Sequence, residues 1–266
     1  MDIFVLLLFS ILVYLLPNNN DYLGVKSTTG LKGFLAIGIV FHHLSQSVST
    51  GGEFINFKYM GTYIVSIFLF LSAYGLYVQN ERKKNYLNNF LTKRLARVVI
   101  PALFVSGIYI VYFVFNKQTL PISYFINLFV KGATIIANGW FVDVIILLYM
   151  FFYISFKVFS NKGSAIFCNT IFVIIYIILA IILKYDFWWY NSTLPFVVGL
   201  VWGKYKANID DLLNNNYFML LMMLTGLLFI SHHYDFLLRR MDLVNKYSLA
   251  LVANVDNVIF TIFFIL

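Results

Sequence analysis

Apolar runs close to the length of a lipid bilayer recur from one end of this 266-residue chain to the other, with only short polar segments between them. A helix needs about 20 apolar residues to cross the hydrocarbon core, and in lipid it satisfies its own backbone hydrogen bonds. At 61% hydrophobic and 11% charged residues, with a mean hydropathy of +0.84, the chain lies far outside the range of soluble domains. The pattern predicts an all-α, polytopic transmembrane helical bundle of about 8 to 10 spans, multi-pass in the cell membrane. No polar segment is long enough to form a separate soluble domain, so residues 1–266 read as a single membrane domain.

The runs fall at residues 3–16, about 31–48, about 60–78, from Pro101 to about 115, and then at 140–159, 165–183, 193–203, 217–230 and 247–266. The first is preceded only by Asp2 and followed by Pro17, with no positive leader region and no small-residue cleavage site, so it reads as a retained span rather than a signal peptide. Ser27-Thr28-Thr29 offers N-cap chemistry for the next helix. Residues 122–137 are apolar but broken by Lys131, Gly132 and then Asn138, which leaves a span, a re-entrant piece or an interfacial helix open.

A net charge of +8 in a soluble protein would suggest a nucleic-acid partner. Here the cations sit in short loops between apolar runs, where they set orientation, so no nucleic acid is expected. Glu81-Arg82-Lys83-Lys84, then Lys93, Arg94 and Arg97, form one basic loop that faces the cytoplasm by the positive-inside rule. Cys168 is the single cysteine; it lies inside an apolar run and belongs to neither a disulfide nor a metal-binding constellation.

Within the second run, a lysine and two histidines bracket an apolar stretch: Lys32, then His42-His43. A helix turns about 100° per residue, so an eleven-residue step returns to within about 20° of its starting direction after a rise of about 16 Å. Lys32 and His43 therefore share a face, with the lysine at the cytoplasmic end and the histidine about halfway across, whereas His42 is turned away from that line. A neutral imidazole in a low-dielectric site can take a proton from a hydroxyl and return it. The bland alternative is a polar group that snorkels or bonds to a neighbouring helix. Intramembrane ionisable groups are functional by default, which favours His43, with His42 as second candidate.

Asp143 and Asp256 also lie in apolar runs where a bare carboxylate would be costly. One of them could orient His43 as the carboxylate does in a triad, and Asp143 is preferred. His232-His233 follows a span and is assigned to a loop, since adjacent histidines make poor joint metal ligands. Trp188-Trp189-Tyr190 reads as part of an interfacial aromatic belt.

Lys32-Gly33-Phe34 through His42-His43 resembles the signature of the acyltransferase 3 family of integral membrane acyltransferases, whose first core helix has Arg or Lys, ten residues, then His. The stretch from Gly61-Thr62-Tyr63 to Leu71-Ser72-Ala73 is similar to the family's second helix. Arg94, Arg97 and Pro101 match its Arg-x-x-Arg-x-x-x-Pro pattern, and Asn138-Gly139-Trp140-Phe141 and Phe196-Val197-Val198-Gly199 look like two later segments. The resemblance runs in order from about residue 27 to 206. Lys32 stands where arginine is commoner, Ala73 where glycine is usual, and Ile145 where an acid often lies, with Asp143 close by as its substitute. The family's common soluble extracytoplasmic esterase-like unit is absent. The last run ends at Phe263-Phe264-Ile265-Leu266 with no polar tail, which suggests a lost C-terminal piece or longer relatives.

The resemblance implies transfer of an acyl group, usually acetyl, from acetyl-CoA at the cytoplasmic face onto a hydroxyl of a cell-surface glycan or related acceptor, with no metal. His43 would be base or acyl relay, and Lys32, Arg94 and Arg97 would hold the donor. The spacing of Arg94 and Arg97 agrees, because two arginines three apart on a helix can grip phosphates bidentately. Such residues also arise from the positive-inside rule alone. A composition rich in Asn, Lys, Ile, Phe and Tyr fits an AT-rich bacterial genome. The competing reading is a transporter or channel-like protein that uses buried Lys, His and Asp as a path. Against it stand the absence of internal repeats and the same-face Lys32–His43 spacing linked to a basic loop.

Overall fold

A computed structural model describes residues 3–15, 19, 21–48, 52, 54–116, 138–233, 238 and 244–266. Among these, 85% are helical and none is in a strand. The main helices are α1 (Ile3–Tyr14), α2 (Val25–Ser47), α3 (Gly61–Arg82), α4 (Phe90–Phe115), α5 (Trp140–Val158), α6 (Lys162–Ile182), α7 (Leu194–Lys204), α8 (Lys206–His232) and α9 (Lys246–Ile265). Six of them, α3, α4, α5, α6, α8 and α9, are long and apolar enough to cross a membrane. The chain forms two compact units, residues 1–78 with 191–266, and residues 79–190.

In the first unit the core gathers Leu35, Ile64, Ile67, Phe70, Leu71, Trp202 and Ile265 from α2, α3, α7 and α9. Lipid tails are as apolar as these side chains, so helix association here depends on close packing and internal hydrogen bonds. Gly199 supplies the first: a Cβ at that position would run into the backbone carbonyl oxygen of Phe70, so α7 and α3 meet backbone to backbone. The second is supplied by asparagines of α9. Asn254 Oδ1 accepts from the backbone N–H groups of Thr193 (3.0 Å) and Leu194 (3.1 Å), and Asn257 Nδ2 donates to the Asn191 carbonyl at 3.0 Å. Thr193 makes no side-chain cap of its own, so Asn254 satisfies the start of α7 from another helix. Where α7 meets α8, Trp202 Nε1 donates to the Tyr22 hydroxyl, which donates to Asp210, and Lys206 pairs with the same carboxylate. Burial pushes the Tyr22 hydroxyl well above the usual phenol range, against the opposing effect of the Trp202 bond.

In the second unit Phe90, 2% exposed, packs its ring on Phe152 (5.3 Å between centroids) and Tyr153 (6.1 Å), joining α4 to α5. Phe151 and Phe172 join α5 to α6 at 5.3 Å. The side chain of Asn161 caps α6 by accepting from Gly163 and Ser164. The outer face of α4 is apolar and open, with Phe104 72% and Phe115 81% exposed, as a lipid-facing helix requires.

Several boundaries differ from the sequence expectation. α2 begins at Val25, six residues before Leu31, and Ser27, Thr28 and Thr29 do not cap it. Thr28 and Thr29 lie inside the first turns and donate back to the carbonyls of Gly24 and Val25, an alternative use of short hydroxyls within a helix. Lys32 therefore lies about two turns inside α2, and His43 is about one turn from its end rather than midway. α4 begins at Phe90 and carries Pro101 in its interior, so Lys93, Arg94 and Arg97 occupy its first two turns rather than a loop. α8 begins at Lys206 and bends at Asn216, whose φ of −136° is not helical. Trp189 and Tyr190 are 7% and 4% exposed, and the Trp189 carbonyl accepts from the Tyr176 hydroxyl at 2.8 Å. Only Trp188, 48% exposed, fits an aromatic belt. The ambiguous segment 122–137 lies outside the described residues.

Candidate functional site

The histidine pair of α2 is wired through Gln46, one turn later. Its carboxamide oxygen lies 3.1 Å from His43 Nδ1, and its nitrogen 3.2 Å from His42 Nε2. A carboxamide oxygen only accepts and its nitrogen only donates, so His43 carries its proton on Nδ1 and His42 presents its lone pair at Nε2. His42 Nδ1 then donates to the Phe57 carbonyl at 3.1 Å. Both nitrogens of His42 are thus committed to the protein. Its ring lies against Gly61, the first residue of α3, where a Cβ would collide with the imidazole. For His43 the same logic puts the lone pair on Nε2, the nitrogen a base needs. Gln46 thus distinguishes the two rings chemically. Gln46 itself went unnoticed in the sequence, although its three- and four-residue spacing from the histidines is the signal that finds it.

Lys32 is exposed on the face of α2 that it shares with His43. Asp143 departs from its expected setting. It is exposed and lies in the first turn of α5, where the positive end of the helix dipole favours a carboxylate. It belongs to the second unit, whereas His43 belongs to the first. Asp256 is the buried carboxylate, 4% exposed, and it accepts from Tyr63 and Ser231. His232 is the last residue of α8 and His233 its C-cap, so the second histidine pair closes a helix rather than lying in a loop. The helix extends this far because the apolar run is followed by Ser231, whose hydroxyl donates to Asp256 of α9 at 2.6 Å and holds the last turn in place.

In the second unit Arg94 and Arg97 come together as expected. They line a pocket of about 430 Å³ with Lys83, Lys84 and Lys93, and no carboxylate is among its lining residues. Volumes of this order are typical of small-molecule sites. The α4 helix places Arg94 and Arg97 three residues apart on one face, and the left-handed Asn85 (φ 58°) turns the chain between α3 and Tyr86. Arg94 gives two of its five donors, Nε at 3.0 Å and Nη2 at 2.8 Å, to the Tyr86 hydroxyl, which aims the guanidinium. Arg97 is exposed. Five cations and an aromatic wall suit a polyanion with a ring system. Pro101 adds a backbone consequence: it has no N–H to give the carbonyl of Arg97, four residues before it. Among the described residues no group of three or more His, Cys, Asp or Glu is placed to hold a metal ion.

Neither the curated proteins nor the solved structures contain a match to this chain. The sequence profile of the acyltransferase 3 family, described as an acyltransferase domain, matches residues 25–266, from the first residue of α2 onward. That match takes in the histidine pair, the arginine pair, the tryptophan that opens α5 and the glycine at the α7–α3 contact. It leaves out only α1 and the residues beside it. The chain is a member of the acyltransferase 3 family of membrane acyltransferases.

Proposed function

We propose that this chain is an O-acyltransferase that moves an acetyl group from acetyl-CoA, bound from the cytoplasmic face, onto a hydroxyl of a cell-surface glycan or related acceptor in a bacterial envelope. The observation that carries the reading is the pocket shared by Arg94, Arg97 and three lysines without an opposing carboxylate. Coenzyme A carries several phosphate charges and an adenine ring. Arginines grip phosphate oxygens bidentately, and the half-buried Tyr86 offers an aromatic surface for the base. On its sequence pattern Lys32 of α2 is a further donor-binding cation, and the six helices long and apolar enough to cross a membrane support the reading of a multi-pass protein of the cell membrane with 8 to 10 spans.

His43 serves as general base or as acyl relay. As base, its Nε2 takes the proton of the acceptor hydroxyl while the oxygen forms a bond to the acetyl carbonyl carbon. The carbon–sulfur bond then breaks, and the leaving thiolate takes the proton back from the imidazolium. Gln46 holds the starting tautomer that this sequence needs.

The experiment is His43→Ala in the cells that make this protein, with surface glycan acetylation read by NMR or mass spectrometry and membrane level read by immunoblot. Loss of ester acetate at normal protein level is expected. Unchanged acetylation would remove His43 from the chemistry, and with it the enzyme reading in this form.

A further inference from the structure

The third residue of α3, Tyr63, joins two groups that the acyl-transfer scheme leaves unused. Its hydroxyl donates to Asp256 Oδ2 at 2.7 Å and lies 2.7 Å from His232 Nδ1, and Ser231 donates to the other carboxylate oxygen at 2.6 Å. Tyr63, Ser231 and Asp256 are 8%, 9% and 4% exposed. An ionised carboxylate only accepts, so the single Tyr63 proton goes to Asp256, and the tyrosine oxygen must accept from Nδ1–H of His232. The chain carboxylate, tyrosine, imidazole therefore fixes His232 with its lone pair on Nε2. The Tyr63 ring is stacked on Phe260 at 4.0 Å, which holds the intermediary in place.

The first turn of α3 is bordered on both sides by histidines, since Gly61 makes room for the His42 ring and Tyr63 engages His232. The last turn of α3 carries Arg82 and leads into the basic run, so the positive-inside rule sets its first turn at the opposite, outer face. That is the side from which a surface glycan arrives. A buried charged network is weak as a source of stability, because desolvation offsets most of its attraction. A helix contact at this point could be apolar at no loss. The half-buried His232, with a directed lone pair, is the part of the network that a substrate can meet.

We infer that His232, held by Tyr63 and Asp256, is an acceptor-binding residue: its Nε2 takes a hydrogen bond from a hydroxyl of the acceptor other than the one acylated, which calls for an acceptor with several hydroxyls, as in a sugar or polyol. The inference rests on the O-acyl transfer reading. Tyr63 and Asp256 are positioning residues that act through the imidazole.

The test uses membranes from cells expressing the full chain, supplied with [¹⁴C]acetyl-CoA, with alkali-labile label in the envelope fraction as readout. His232→Leu should lower the transfer rate about tenfold, the order of one lost hydrogen bond in a buried site, at an unchanged apparent KM for acetyl-CoA. His232→Gln, whose amide oxygen reaches close to the Nε2 position, should recover much of that rate. Tyr63→Phe keeps the stacked ring and should fall between the two. A wild-type rate in His232→Leu overturns the inference and leaves the acyl-transfer reading intact. So does an equal fall in Leu and Gln with a shifted donor KM, since that marks a structural role. If the His232 variants fail to reach the membrane, Tyr63→Phe decides, and a wild-type rate there overturns the inference. No label transferred by the wild type would remove the acyl-transfer reading itself.

Discussion

At the scale of single residues, the geometry separates groups that composition makes look alike. His42 and His43 are neighbours, yet Gln46 turns its carboxamide oxygen to Nδ1 of His43 and its nitrogen to Nε2 of His42, so the two rings are held in opposite senses. Gln46→Leu should keep the protein in the membrane and lower acetyl transfer by about one order of magnitude, because it unties a base whose own contribution is about 10²–10⁴. Rates per immunoblot-quantified protein check this. Arg94 and Arg97 differ in a parallel way: Arg94 is aimed by Tyr86, and Arg97 is exposed. Arg94→Lys retains the charge and loses the fork, so the KM for acetyl-CoA should rise about tenfold with kcat little changed, measured in detergent-solubilised or nanodisc-held protein. A comparable fall in kcat with unchanged KM would place Arg94 outside the donor site.

At the scale of elements, the apolar runs and the helices correspond closely, and the reasons for the exceptions are physical. Run length is a strong signal because a bilayer demands about 20 apolar residues per crossing. The first turns of α2 and α8 lie outside the apolar runs because Val25-Lys26-Ser27-Thr28 and Lys206-Ala207-Asn208 are mostly polar and carry no hydropathy signal, although they are helical. The Lys32–His43 face and the Arg94–Arg97 pair were legible because both are spacings within one helix. The Tyr63–His232–Asp256 network was not, since its members are separated by 169 and 193 residues and meet only through tertiary packing. Asn254 belongs with these long-range features. Its carboxamide caps α7 from α9, so Asn254→Leu removes the acceptor of two N–H groups, one buried and one half-buried, and should cost about 1–3 kcal/mol. Thermal unfolding of the purified protein in detergent measures it, and an unchanged midpoint would show that α7 starts independently of α9.

At the scale of the whole molecule, helix is the only regular secondary structure among the described residues, and six helices meet the length and hydropathy of membrane spans. Family membership makes it a membrane acyltransferase. The proposed chemistry also requires a direction, with donor at the basic, cytoplasmic side and acceptor hydroxyl at the other. A vesicle of known sidedness reports on that direction. The most direct measurement is transfer of label from [¹⁴C]acetyl-CoA to alkali-labile envelope material in sealed inside-out and right-side-out membrane vesicles, each with wild type and His43→Ala. The account predicts label only in inside-out vesicles bearing the wild-type protein, and a loss of about 100-fold or more in His43→Ala. Equal labelling of the two orientations, or full labelling by His43→Ala, would contradict it.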